Sequence, residues 1–344
     1  MNNLCIQFLD SNRYHDWNAF VDQSPQGDVF CYSWWLDAIT RSNFRILVAV
    51  EKDEIVAGMP LAYDLNNNIN EPPLTRTLGV LYKPKNTLND HIYSSNQRRW
   101  LNALIEFLPL ENFVQVCMHH NFTDWLPFRW KGFRQTTRYT YLIDYKDKTE
   151  DDLKINLNRG RKNIINRAIK DGIKVEETND LELLYNFACL SYKRQGLKFS
   201  IPFDVIRNLD EAILKYGRRI IFKAVDDSDK VLAVIYLAYN RKSAYYLLSG
   251  SDPEFRNTGG HSLVLWEAVK FFRKKVDFFN FGGSDVKHIE EHVKGFGGIM
   301  TPYFHIFNDE LLFGKSGIRY HTAQILFHFK EASKSIILRV FKGR

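Results

Sequence analysis

RIIFKAVDDSDKVLAVIYLAYN, residues 219–240, sets two apolar, β-branched runs on either side of an acidic turn, which is the signature of a β-hairpin. RILVAVEKDEIVAGMPLAYD, residues 45–64, is the same hairpin with a shorter turn at Glu51-Lys52-Asp53-Glu54. Arg45-Ile46 matches Arg219-Ile220 at an offset of 174, and Leu61-Ala62-Tyr63 matches Leu237-Ala238-Tyr239 at 176, so the turn absorbs a two-residue insertion. The flanks agree. YHDWNAFVDQ and YSWWLDAITR precede the first hairpin with helical spacing, as NDLELLYNFACLSYKRQ and PFDVIRNLDEAILKYG precede the second. Downstream, each copy has a third strand, a helix (SSNQRRWLNALIEFL; GGHSLVLWEAVKFFRKK) and a fourth strand (NFVQVCM; FFNFGG). The chain reads as two copies of one α+β unit.

The polar run DYKDKTE, 144–150, marks the linker, giving domains over 1–145 and 146–314. The last thirty residues, 315–344, have helical spacing around Ile325, Leu326, Phe329, Ile336 and Ile337; such a helix would pack back across the first domain or lie on a membrane surface. At 344 residues, with 45% hydrophobic residues and 26 Phe, 17 Tyr and 7 Trp, the chain can fill two cores and is not a disordered one. Cys5, Cys31, Cys117 and Cys189 form no CxxC pair, which argues against a disulfide scaffold or zinc ribbon and fits a reducing cytosol. Neither a signal peptide nor an 18-residue apolar span is present in the sequence.

Net charge is +7, concentrated in residues 154–174 and 315–344, each +6, so an anionic partner should meet these segments first. Projected as a helix, NRGRKNIINRAIKDGI puts Leu157, Ile164, Ile165, Ala168 and Ile169 on one side and Arg159, Lys162, Arg167 and Lys170 on the other. Arg161 falls inside the apolar stripe. A guanidinium there must meet an internal carboxylate or an anionic ligand, because burial without a partner is costly; a substrate phosphate or carboxylate is the functional reading, shared with Arg159 and Lys162.

The copies diverge between the third strand and its helix. The second reads KSAYYLLSG, SDPEFRNTGGHS and then the helix; the first has YKPKNTLNDHIYSSNQ, without glycine. Arg256, Thr258, Gly259 and Gly260 thus stand at a strand-to-helix turn where backbone N–H groups and a helix N-terminus favour a phosphate, or else simply cap the helix. Tyr245 and Tyr246 point to opposite faces of their strand. Two helices, a hairpin, a strand, R-x-x-G-G, a helix and a strand resemble the GNAT acyltransferase fold, whose R/Q-x-x-G-x-G/A signature holds an acyl-CoA pyrophosphate; His261 replaces the final small residue. The duplication, NRGRKNIINRAIKDGI, YYLLSGSDPEFRNTGG and FNFGGSDVKHIEEHVKGFGG resemble more closely the Fem family, twin-GNAT proteins that attach amino acids to peptidoglycan precursors from aminoacyl-tRNA.

The resemblance implies two tandem GNAT domains, each a mixed, mostly antiparallel sheet flanked by helices, the first degenerate and serving the acceptor. It implies an N-acyltransferase that moves an acyl or aminoacyl group from acyl-CoA or aminoacyl-tRNA to an amine of an anionic envelope precursor or amino sugar, in the cytoplasm or at the inner membrane face. The surviving glycine turn leans toward acyl-CoA. Lys294 matches a family lysine beside the reacting centre, with Val293 at the position of its phenylalanine partner, and one of Tyr245 and Tyr246 would orient the acceptor amine. Asp252, Glu254, Ser284 and Asp285 are the candidate proton acceptors, Asp285 foremost because it ends the fourth strand, unless it caps the next helix. The short loop GLKFSIP has no room for the coiled-coil arm of some family members.

Other chemistries are weaker. His288-Ile289-Glu290-Glu291-His292 fits H-x-x-E-H of an inverted zincin, but no further ligand or partner motif accompanies it, and no metal site is assigned. His119 and His120 are neighbours on an expected strand end, cannot both face one metal, and read as structural. No G-x-S-x-G elbow or Walker loop occurs. The competing class is a non-catalytic duplicate that binds RNA or a lipid-linked anion through its basic segments.

Overall fold

A computed structural model of the chain describes residues 4–283 and 286–313. Ser284, Asp285, the His288 side chain and the expected helix of 315–344 lie outside the described residues. The first series of elements is β1 (Leu4–Phe8), α1 (Tyr14–Gln23), α2 (Ser33–Thr40), β2 (Phe44–Glu51), β3 (Glu54–Ala62), β4 (Leu81–Tyr82), α3 (Asp90–Glu106), β5 (Gln115–Cys117), α4 (Leu126–Trp130) and β6 (Arg134–Asp144). Two helices follow, α5 (Glu150–Asn156) and α6 (Arg159–Lys170). The same order then returns as β7 (Lys174–Thr178), α7 (Leu181–Arg194), α8 (Phe203–Tyr216), β8 (Arg218–Val225), β9 (Val231–Tyr239), β10 (Ser243–Ser251), α9 (Gly260–Phe272), β11 (Phe278–Asn280), α10 (Lys287–Lys294) and β12 (Ile299–Phe307), before a short α11 (Asp309–Phe313).

The two hairpins form as their patterns require. Lys52 and Asp53 both take positive φ (50° and 64°), giving the tight turn that suits the right-handed twist of β2 and β3. In the β8–β9 turn the Asp226 carboxylate accepts the Ser228 and Lys230 amides at 2.9 and 3.0 Å, and this side-chain turn accommodates the insertion.

The halves do not close on themselves. One sheet runs β1-β2-β3-β4; the other runs β5-β12-β6-β11-β10-β9-β8-β7. The last strand of each series therefore lies beside the fifth strand of the other, β6 against β11 and β12 against β5. β6 and β12 pair with each other from Ile299↔Leu142 to Phe307↔Arg134. An apolar cluster joins the first series to Leu184, Leu209, Ile221, Val234 and Tyr245 of the second, while another fills the opposite face of β8–β10 beneath α6 and α9. Across the seam Phe30 meets Tyr245 edge-on at 4.6 Å between ring centroids, and Trp34 stacks on Tyr216 at 6.3 Å.

Two cations bind the layers together. Lys242, at the β9–β10 turn, donates to the carbonyls of Val21, Ser24 and Gly27 at 2.9, 2.5 and 3.1 Å. Within the second series Arg219 grips the Asp210 carboxylate with two nitrogens, at 2.8 and 3.2 Å, and Tyr236 donates to the same carboxylate at 2.8 Å.

Candidate active site

β10 and β11 run parallel and are paired only from Ser243↔Phe278 to Tyr245↔Asn280. Past Tyr245 the β9–β10 register slips between Tyr246 and Leu248, and past Asn280 the chain turns away through Gly282 and Gly283 at φ of 79° and 69°. Glycine is needed at Gly283, where a Cβ would sit 2.5 Å from the Tyr139 carbonyl oxygen. The strands thus fork at their carboxyl ends, where open α/β sheets place ligands. A small pocket at the fork, about 10 Å3 and so room for about one water until the strands part further, is lined by Arg76, Thr77 and His120 of the first series, Thr140 and Tyr303 of the exchanged strands, and Tyr245, Asn280 and Gly282 of the second. The Asn280 side-chain oxygen, Oδ1, accepts the Thr140 hydroxyl at 2.7 Å and the Gly282 amide at 2.9 Å, fixing the fork's floor.

The two tyrosines separate as strand geometry demands. Tyr245 is buried and its hydroxyl donates to Asp28, a carboxylate of the first series that also accepts the Val29 amide at 3.2 Å and the Thr77 hydroxyl at 3.3 Å. Burial pushes the Asp28 carboxyl up to about 6, against the lowering effect of these hydrogen bonds. Tyr246 faces the other way, toward His261 at 3.0 Å and the Ser249 hydroxyl. Burial raises its phenol to about 12 and lowers the His261 imidazole to about 4. Both phenols stay protonated at neutral pH.

The donor turn looks onto protein. Gly259 caps α9 at φ 86°, and Gly259 and Gly260 are both buried. A Cβ at Gly259 would lie 3.0 Å from the Ile164 carbonyl oxygen and 3.2 Å from the Ala168 Cβ. α6 therefore covers the glycine pair, tied down by Arg167 donating to the Asn257 carbonyl at 2.6 Å. Thr258 spends its hydroxyl on the Phe255 carbonyl at 2.6 Å and caps the Gly260 amide at 3.3 Å. The phosphate cradle expected at these glycines is thus occupied by α6; the sequence could not reveal this, because the covering helix lies nearly a hundred residues upstream.

Arg161 turns inward, as its place on the apolar stripe requires. It donates to the Ser262 hydroxyl at 2.5 Å and the His292 carbonyl at 3.1 Å, and lies over the Phe296 ring at 4.9 Å. No carboxylate meets it among the described residues. Its Nε and the neighbouring His292 Nε2 are buried without a partner, and desolvation lowers both pKa values. Arg159, Lys162, Arg256 and Lys294 are exposed. Lys294, expected at the reacting centre, does not line the fork pocket. Of the stripe, Ile169 is 55% exposed, and Leu157 precedes the helix, which starts only after the Asn158 side chain caps the Arg161 amide at 2.7 Å. Of the other proton acceptors, Asp252 accepts the Glu254 amide at 2.9 Å, and Glu254 is exposed.

Several features had no signal in the sequence. His119 and His120 lie beyond the end of β5, so strand alternation does not govern them; their rings meet tilted at 35°, 3.9 Å between centroids, with His119 nearly at Asp28 (3.8 Å) and His120 in the fork pocket. A separate cleft of about 520 Å3, bordered by Gln26, Tyr82, Lys85, His91, Tyr93 and Arg98, opens at the start of α3.

Residues 158–291 match the family model described as the acetyltransferase (GNAT) domain. A search of curated proteins finds no match. Among solved structures, FemX is 15% identical, with 91% of this chain and 100% of that chain covered, at a TM-score of 0.65. A tandem GNAT protein from the clavulanic acid biosynthesis pathway is 11% identical over 88% of this chain and 98% of that one, at 0.52. A conserved protein of unknown function from Bacteroides thetaiotaomicron VPI-5482 is 10% identical over 90% and 100%, at 0.50. The chain has the Fem-like, tandem GNAT fold: α+β, with mixed sheets flanked by helices. No helix among the described residues is long and apolar enough to cross a membrane.

Proposed function

We propose that the protein is an N-acyltransferase that forms an amide at the fork of β10 and β11, joining an acyl or aminoacyl group to an amine. The observation that carries this reading is the fork pocket itself. Both series and both exchanged strands line it, within the stretch that matches the GNAT model, at the carboxyl ends of two parallel strands that have parted. Held in this geometry, donor and amine react largely through positioning.

The donor's carrier is anionic and lies at the α6–α9–α10 junction, where Arg159, Lys162, Arg256 and Lys294 are exposed cations and Arg161 lacks a carboxylate. The tandem GNAT relative is named for a form without AcCoA, which supports acyl-CoA. The seating of α6 on Gly259 favours instead a carrier held along the outer cationic face of that helix, as a tRNA acceptor end would be. The acceptor, an anionic envelope precursor or amino sugar, is assigned to the 520 Å3 cleft beside His91, Lys85 and Arg98, where it would compete with Asp90 and Asp124 for the two cations.

Offering a short acyl-CoA and an aminoacyl-tRNA side by side, with a panel of amino sugars and amine-bearing peptides, tests this. An amide product seen by mass spectrometry with one donor supports the reading and chooses the carrier. Saturable affinity for neither, with RNA binding intact, would make the chain a binding module.

A further inference from the structure

We infer that Asp28 is a positioning residue that acts through Tyr245, holding its phenol toward the fork and taking its proton while the amine attacks; this rests on the acyltransferase reading above. Asp28 belongs to the first series and Tyr245 to the second, so the pair spans the seam. Tyr245 and Thr77 both line the fork pocket and both donate to the same oxygen of Asp28, which stands one hydrogen bond behind the pocket wall. The carboxylate is 1% exposed and, among the described residues, touches no cation. Lys242 spends its ammonium on three carbonyls, and burial keeps His119, 3.8 Å away, neutral. A purely structural acceptor for these donors would be made as well by an uncharged side chain, without the cost of burying a charge. Among the acids nominated from the sequence, Asp252 is engaged in its own turn and Glu254 is exposed.

The step balances. The amine nitrogen bonds to the acyl carbon, and its surplus proton passes to the Tyr245 oxygen as the Tyr245 proton moves to Asp28. Collapse of the intermediate breaks the bond from the acyl carbon to the carrier's oxygen or sulfur. The proton returns from Asp28 through Tyr245 to that leaving atom, so the carboxylate is restored without an outside acid or base.

The groups facing Asp28 are Tyr245 from β10, Lys242 from the β9–β10 turn, Cys31 and Tyr32 from the approach to α2, and His119 and His120 beyond β5. Burial raises Cys31 to about 12, raises Tyr32 and lowers His120 to about 4, so Asp28, at about 6, is left as the group that titrates just below neutrality.

The test is steady-state kinetics across pH with wild type, Asp28→Asn and Tyr245→Phe, using whichever donor wild type accepts. Both variants should lose about 100-fold or more in kcat with little change in KM, the size expected for a lost proton-transfer group. Wild type should show an acidic limb in kcat near pH 6 that Asp28→Asn lacks. Wild-type kcat and an unchanged limb in Asp28→Asn would overturn the inference. Should that variant misfold, Tyr245→Phe, which removes one oxygen, decides: unchanged kcat overturns it. A wild type inactive with both donors sinks the acyltransferase reading itself, a separate outcome.

Discussion

Replacing Arg161 by Met should leave the unliganded fold about as stable as before, whereas replacing Asp210 by Ala should cripple it. The contrast follows from what surrounds each buried arginine. Arg219 has a carboxylate, held by two nitrogens and shared with Tyr236; deleting Asp210 strands a buried guanidinium and costs about 3–5 kcal/mol. Among the described residues Arg161 meets the Ser262 hydroxyl, the His292 carbonyl and the Phe296 ring face, and no partner for its Nε. Two hydrogen bonds from a charged donor contribute about 1.5–3 kcal/mol each, and the ring about 0.5–2. The uncompensated charge costs several kcal/mol, a sum of the same size, so gain and cost largely offset each other. Urea unfolding followed by circular dichroism measures both variants. A second arm adds inorganic pyrophosphate, which should stabilise wild type by up to about 2.7 kcal/mol at a hundredfold excess over its Kd and Arg161→Met by much less. If Arg161→Met loses as much as Asp210→Ala, and pyrophosphate stabilises both proteins alike, Arg161 is a structural strut and the anion-site argument fails.

Asp28→Asn should raise stability at neutral pH even as it lowers activity. The folded carboxyl is raised to about 6 from 3.8, so its ionisation penalty is fully present above pH 6 and gone below the unfolded value; the gain, about 1–3 kcal/mol, should shrink toward zero as unfolding is repeated down to pH 4. Gly283→Ala forces a Cβ against the Tyr139 carbonyl at a positive φ, and should cost at least about 2 kcal/mol in urea unfolding and abolish transfer by deforming the fork. Lys242→Met leaves the Val21, Ser24 and Gly27 carbonyls without their shared donor. It should cost about 2–4 kcal/mol and speed amide hydrogen exchange of residues 24–31; unchanged exchange there would show that the seam does not depend on it.

What was legible in the sequence was whatever a local period or a special backbone angle dictates. Both hairpins announce themselves by apolar runs around turns, and Arg161 announces its inward aim by its angle on a helix. Partner choice at long range is different. RQTTRYTYLI reads as a strand, but nothing within it says that it will join the other half's sheet. Nothing in SPQGD marks its aspartate for burial; Asp28 becomes a buried carboxylate only because Tyr245 arrives from 217 residues away. For the same reason the glycine turn, correctly placed at the start of α9, gave no hint that α6 would cover it.

The traded terminal strands also bear on how the molecule is made. While the first half emerges from the ribosome, β5 and the long β6 have no neighbours to bond, and the hydrogen-bonding rims they present are open to other nascent chains. Only when residue 307 has cleared the exit tunnel can both rims be closed at once. Splitting the gene near residue 145 should therefore yield two sticky fragments, each needing a chaperone or the other fragment, instead of two small working proteins.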